Sequence, residues 1–130
     1  MIVVDASAMV EALVGQEPHE DLLSALAGEV DAPSLVDVEV LAALRGLSLG
    51  GKLDRGQAEQ ALRDHCSLTI TRHPVSPFAD RIWHLRHQLT AYDACYVALA
   101  EALRAPLYTC DARLARAGHD AEVRVVSAGR

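Results

Sequence analysis

Ile2-Val3-Val4-Asp5-Ala6-Ser7-Ala8-Met9-Val10-Glu11-Ala12-Leu13-Val14 opens the chain with three β-branched or aliphatic residues, an aspartate, and then Met9, Val10 and Leu13 at helical spacing. The stretch reads as a strand running into a helix over Ala6 to Val14, with Asp5 at the junction. The same unit returns near the other end, where Leu107-Tyr108-Thr109 forms a short strand and Asp111 to about Ala117 a short helix. Between them the pattern predicts a helix from Pro18 to about Gly28 with Leu22, Leu23 and Leu26 on one face. A break at Asp31-Ala32-Pro33 precedes a long helix from Ser34 to about Leu49, stopped by Gly50-Gly51. A helix over Asp54 to about His65, an alternating strand over Ser67–Thr71 and a helix over Phe78–Leu89 follow, with Pro74 and Pro77 marking the last entry. Ala91 to Leu103 is apolar nearly all round, the pattern of a buried central helix, and Pro106 ends it. Val123–Val126 is a final strand. Short strands alternating with helices imply an α/β fold with a short parallel sheet covered on both faces.

Bulk properties agree with one domain over residues 1–130. Hydrophobic residues make up 51% and charged residues 23%, an ordinary globular composition at a length that buries a core without staples. The three cysteines, Cys66, Cys95 and Cys110, are far apart and lack zinc-site spacing, so they read as reduced and mostly packed thiols. The N-terminus has no basic segment, its apolar run is broken by Asp5 and Glu11, and no stretch approaches the ~20 apolar residues of a membrane span. A cytoplasmic protein is expected. A formal net charge of -6 argues against a general nucleic-acid coat protein, so any work on nucleic acid must use local basic residues or bound cations.

Four acidic residues hold the chemistry. Asp5 and Asp111 each follow a strand and precede a helix, which places them outside the carboxyl ends of parallel strands, where open α/β sheets bind ligands. Each could equally be an N-cap. Asp93 has a similar competitor, since Thr90-Ala91-Tyr92-Asp93 has capping-box spacing. Glu39 is different. At 100° per residue it falls in the arc of Leu35, Val36, Ala42 and Ala43, and an ionised carboxylate on an apolar helix face needs a partner or shifts its pKa. The structural alternative is a buried salt bridge to an arginine.

Two carboxylates 5 Å apart repel by roughly 3 kcal/mol at an effective dielectric near 20, so a cluster of four calls for a cation. All-oxygen ligands suit Mg2+ or Mn2+, and one or two such ions fit phosphodiester hydrolysis, where they activate water and stabilise the leaving oxygen. A metal also screens an acidic pocket from an anionic substrate.

The order of these residues resembles a family. Ile2-Val3-Val4-Asp5-Ala6-Ser7, Pro33-Ser34-Leu35 leading to Glu39, Thr90-Ala91-Tyr92-Asp93-Ala94-Cys95-Tyr96-Val97-Ala98-Leu99-Ala100, and Leu107-Tyr108-Thr109-Cys110-Asp111-Ala112-Arg113-Leu114 look like the motifs of PIN-domain proteins, specifically VapC-type toxins. The resemblance runs from Met1 to about Val126. It implies a three-layer α/β/α fold, Mg2+- or Mn2+-dependent endoribonuclease activity, a homodimer and a cognate VapB-like antitoxin that blocks the site. Asp5, Glu39, Asp93 and Asp111 match the family's acidic positions, with Asp5 and Asp93 the foremost metal ligands. Ser7 and Thr109 match its supporting hydroxyls. Arg86, Arg113 and Arg116 flank the Asp93 and Asp111 motifs and are candidate RNA phosphate contacts, against the reading that they are solvated surface residues. Metal binding by His84 and His87 is not expected, and the segment from Lys52 to Phe78 carries no usable signature.

Two further readings compete with a ribonuclease. A non-catalytic PIN-like protein-binding module would not need all four acids together. A phosphoacceptor domain needs a lysine on a neighbouring strand, whereas Lys52, the only lysine, follows Gly50-Gly51 in an expected loop.

Overall fold

The computed structural model describes residues 1–116 and 118–126. Its centre is β1 (Ile2–Val4), whose three residues are all buried, as expected for a strand covered on both faces. Around it lie β2 (Val30–Pro33), β3 (Ile70–His73), β4 (Leu107–Thr109) and β5 (Val123–Val125), all parallel, in the order β3-β2-β1-β4-β5. The helices are α1 (Ala6–Val14), α2 (Glu20–Leu26), α3 (Val36–Leu49), α4 (Arg55–Ser67), α5 (Ala79–His84) and α6 (Ala91–Leu103).

The chain steps from β1 outward to β2 and β3, then crosses back to β4 on the far side of β1. Right-handed crossovers therefore put α1 to α4 on one face and α5 and α6 on the other. The packing agrees: α1, α3 and α4 touch one another, while α6 lies against β1, β2 and β4 with α5 behind it. The strand order reverses between β1 and β4. A crevice opens at such a switch point outside the carboxyl ends of the strands. Register places the two strand ends side by side, with Val4 opposite Tyr108 and Asp5 N–H donating to Tyr108 O at 3.1 Å.

The core is aliphatic. Val3 and Val4 of β1 share one core with Ala8 and Met9 of α1 and Val36, Val40 and Leu44 of α3, and α6 lies against β1. Every residue of α6 from Ala94 to Ala100 is buried, so its all-round apolar pattern marks a central helix. The helix ends at Arg104, which adopts a left-handed conformation with φ 52 and starts the turn into Pro106.

Several elements differ from the sequence-based expectation. Val30–Pro33 is a strand and not a break; Asp and Pro are poor strand formers, and here tertiary pairing between β1 and β3 overrides them. The following helix starts at Val36, two residues after the expected Ser34. In α2 only Leu22 is buried, and Leu23 is exposed. The expected strand over Ser67–Thr71 slides to Ile70–His73 because α4, capped by an Asp54–Gln57 capping box, runs on through Ser67. The helix expected over Phe78–Leu89 is a 3-10 turn, Ser76–Phe78, followed by a shorter α5 and irregular turns. The segment after Asp111 is also 3-10, Ala112–Arg116; the expected end of this helix at Ala117 lies outside the described residues. Strand β5 stops at Val125, one residue short of the expected end. On α3 the buried face is Val36, Val40 and Leu44, with Ala42 exposed. The cysteines are free thiols, yet Cys66 is exposed and not packed. Among the described residues no helix is long and apolar enough to cross a membrane.

Candidate active site

Asp5 leaves β1 at the switch point and is buried, with 7% exposure. It caps α1, as Oδ1 accepts from Ala8 N–H at 3.0 Å, and the same oxygen accepts from Ser7 Oγ at 2.7 Å. Oδ2 accepts from Thr109 Oγ1 at 2.5 Å. Capping and site formation are therefore one arrangement. Ser7 Oγ also accepts from Cys110 N–H at 2.9 Å, and Thr109 Oγ1 from Asp111 N–H at 3.0 Å, so the two hydroxyls tie the end of β4 to the carboxylate at the end of β1. Burial pushes the Asp5 carboxyl above the ordinary carboxylate range; the Ser7, Thr109 and Ala8 bonds oppose that, and the charge of Asp93 adds to it.

Glu39 projects from α3, half-buried, beside the buried face of that helix. No arginine meets it among the described residues, so the expected alternative of a buried salt bridge is not what satisfies it. Its partner is Tyr96, whose hydroxyl donates to Oε1 at 2.6 Å. Burial raises the Glu39 carboxyl, the Tyr96 bond lowers it, and the charges of Asp5 and Asp93 raise it again. Tyr96 is itself buried, and burial followed by the Glu39 contact holds its phenol in the neutral form. No role for Tyr96 is evident from its sequence context alone. One signal was available: it lies three residues after Asp93 on α6, so the two share a helix face.

Asp93 sits in the first turn of α6. Thr90 caps that helix by accepting from Asp93 N–H at 3.2 Å, but the return bond from Thr90 N–H to the carboxylate, the other half of a capping box, is not formed. The carboxylate instead faces the cluster. Burial raises it, Asp111 raises it further, and Arg113 opposes both.

Asp111 differs from the other three. Arg113 clasps it, with Nη2 at 2.6 Å from Oδ2 and Nε at 3.0 Å from Oδ1, and Arg113 N–H donates to the same Oδ1 at 3.0 Å. The guanidinium holds this carboxyl below its ordinary range. Of the other candidate cations, Arg116 lowers the Asp111 carboxyl only as a more distant charge. Arg86 stacks over the Trp83 ring at 4.6 Å and donates to Trp83 O at 2.9 Å, so no contact brings it to the carboxylates. A cleft of about 750 Å³ adjoins the cluster, lined by Ser7, Val10, Glu11, Glu39, Leu47 and Cys110.

The donor set suits a hard divalent cation. Three carboxylates, Asp5, Glu39 and Asp93, are each raised first by burial and then by a neighbouring carboxylate: Asp5 by Asp93, Glu39 by Asp5 and Asp93, and Asp93 by Asp111; neither Asp5 nor Glu39 has a salt-bridge partner among the described residues. That is the charge imbalance a cation relieves. Among the described residues no group of three or more His, Cys, Asp or Glu side chains stands ready to hold a metal ion. Magnesium does not require one, since it binds through one or two carboxylates and keeps several waters.

The chain is similar to known proteins. The PIN domain family model matches residues 2–120. Ribonuclease VapC9 of Mycobacterium tuberculosis is 43% identical over 118 residues, covering 91% of each chain. Ribonuclease VapC12 of the same organism is 40% identical over 129 residues, covering 98% of this chain and all of the relative. Among solved structures, the VapBC2 complex of Rickettsia felis bound to a promoter DNA fragment contains a chain that superimposes with a TM-score of 0.70 at 15% identity, covering 98% of this chain and 100% of that one. At that identity the likeness shows the fold, an α/β/α sandwich on a parallel sheet. With the family model spanning most of the residues and relatives at 40% identity or more along nearly the whole length, the chain belongs to the PIN-domain family, among the VapC ribonucleases.

Proposed function

We propose that this chain is a metal-dependent endoribonuclease, the toxin of a type II toxin–antitoxin pair, which cuts RNA phosphodiester bonds and so inhibits translation and growth. The observation that carries the proposal is Asp5: a buried carboxylate fixed by three donors at the sheet's switch point, electrostatically coupled to Glu39 and Asp93. Asp5 and Asp93 would hold Mg2+ or Mn2+, with Glu39 and Asp111 completing the cluster. Such a cation supplies the positive charge that draws a phosphodiester against four carboxylates and lowers the pKa of water beside it.

The chain's own residues do the rest. Ser7 and Thr109 lock both oxygens of Asp5, so the ligand need not reorganise when the site fills. Tyr96 fixes Glu39 through one oxygen and leaves the other to accept a proton or position water. A carboxyl raised toward neutrality is better matched to proton transfer than an ordinary one.

Antitoxin binding follows from membership: the Rickettsia felis neighbour is a VapBC complex, and a VapB-like partner that covers the site is the corresponding expectation here. Val38, Leu41 and Leu49 stay exposed along the outer face of α3, at 65%, 46% and 71%, which favours a homodimer or another protein contact. A cytoplasmic protein acting on the cell's own RNA is part of the same reading.

The test is cleavage of RNA by purified protein with Mn2+ present. Asp5→Asn and Asp93→Asn should each abolish cleavage while circular dichroism shows the fold retained. Full cleavage by both variants, with contaminating nuclease excluded, would remove the proposal.

A further inference from the structure

The fourth carboxylate is held differently from the rest, and its partner is a cation two residues along the same turn. Asp111 receives two guanidinium nitrogens and one backbone N–H from Arg113, so both of its oxygens are occupied. Arg113 is 78% exposed and Asp111 27%. A pair with that much solvent access is weak, because water screens it and the long side chain loses rotamer freedom to form it. The arrangement is complete but inexpensive to undo. Asp93 feels the charges of both Asp111 and Arg113, and Arg113 in turn feels that of Asp93.

We propose that Arg113 is an exchangeable counter-ion of the cluster: it occupies Asp111 while no divalent cation is bound, yields that carboxylate when one enters, and turns its guanidinium to a phosphate oxygen of the RNA. The inference rests on the ribonuclease reading above and adds a counter-ion and substrate-contact role for one residue. Three observations favour exchange over a merely structural pair. The backbone N–H of Arg113 still caps Asp111 Oδ1 after the guanidinium leaves, so the carboxylate keeps its place. Thr109 Oγ1 independently accepts from Asp111 N–H at 3.0 Å and so anchors the turn. The guanidinium is on the solvent side, where a polyanion would approach. Its planar fork suits a phosphate as well as a carboxylate, a match that lysine lacks.

Calorimetric titration of the whole protein with Mn2+, in wild type, Arg113→Ala and Arg113→Lys, tests the first half. Removing the competitor should tighten Mn2+ binding about two- to fivefold in Arg113→Ala, the range an exposed pair commands. Arg113→Lys, which keeps the charge and loses the fork, should fall between alanine and wild type. Steady-state cleavage tests the second half: KM for RNA should rise more than kcat falls, and the slope of log(kcat/KM) against log salt should drop by about one. Unchanged or weaker Mn2+ binding in Arg113→Ala overturns the exchange and leaves the ribonuclease reading intact. Lysine behaving as wild type toward Mn2+ also overturns it, since a general field effect would then explain the alanine result. A wild-type protein that neither binds Mn2+ nor cleaves RNA removes both.

Discussion

Replacing Thr109 by Val keeps shape and removes one hydroxyl from the most buried point of the site. Thr109 has no exposed surface and Asp5 has 7%, so water cannot take the place of the lost donor. Two bonds disappear together: the one to Asp5 Oδ2 at 2.5 Å and the one accepted from Asp111 N–H at 3.0 Å. A hydrogen bond to a charged group contributes about 1.5–3 kcal/mol, and an orphaned backbone donor costs about 1 kcal/mol more. The valine methyl group stands where the hydroxyl was, so packing offsets little. A loss of about 2–4 kcal/mol follows, which for 130 residues corresponds to about 7–15 °C in Tm. Ser7→Ala removes a comparable pair of bonds from a residue that is exposed, where water substitutes, and should cost about 1 kcal/mol. Thermal unfolding followed by circular dichroism in EDTA measures both, and Mn2+ titration should show the Val variant binding more weakly. A Thr109→Val protein that melts within about 2 °C of wild type would refute the reasoning, because it would mean that Asp5 is not held by Thr109.

Tyr96→Phe keeps the ring that fills the core beneath Glu39 and removes only the 2.6 Å bond. The fold should persist while single-turnover RNA cleavage falls about tenfold, equivalent to about 1.4 kcal/mol in the barrier; an unchanged rate would separate Tyr96 from the site. The pH dependence of the metal-free protein has a defined sign. Asp5, Glu39 and Asp93 are raised in the folded state, so between the ordinary carboxylate range and their raised values the folded chain binds more protons than the unfolded one and stability falls as pH rises. Asp37 and Glu101, lowered mainly by Arg72 and Arg81, act below that range, where stability is lost as pH falls through their depressed values. Tm in EDTA should therefore increase as pH falls from neutral toward the ordinary carboxylate range and decline below about pH 4, and Mn2+ at neutral pH should remove much of the difference. A Tm that climbs steadily from pH 5 to 7.5 in EDTA would contradict the raised carboxylates.

Local patterning alone determined much of this protein. Ala6–Val14, Ala91–Leu103 and Leu107–Thr109 are legible to the residue because periodicity, caps and breakers agree there. Strand-end placement likewise marked Asp5 and Asp111, and an apolar arc marked Glu39, since these follow from chain order and helix geometry. Tertiary structure decided what local pattern could not encode. Val30–Pro33 is a strand only because β1 and β3 pair with it on both sides. Glu39 is satisfied by Tyr96, a residue 57 positions away, rather than by an arginine, and Asp5 is locked by Thr109, 104 positions away. Which hydroxyl reaches which carboxylate depends on sheet register and on how α3 and α6 meet around β1. Asp111 is the instructive contrast: its partner Arg113 is two residues away and was visible as a nearby cation, yet only the folded turn shows the guanidinium clasping the carboxylate instead of reaching into solvent. Acidic residues can be found along a chain one at a time, but their mutual repulsion, and hence the demand for a cation, exists only when β1, α3, α6 and the end of β4 bring them to one end of the sheet.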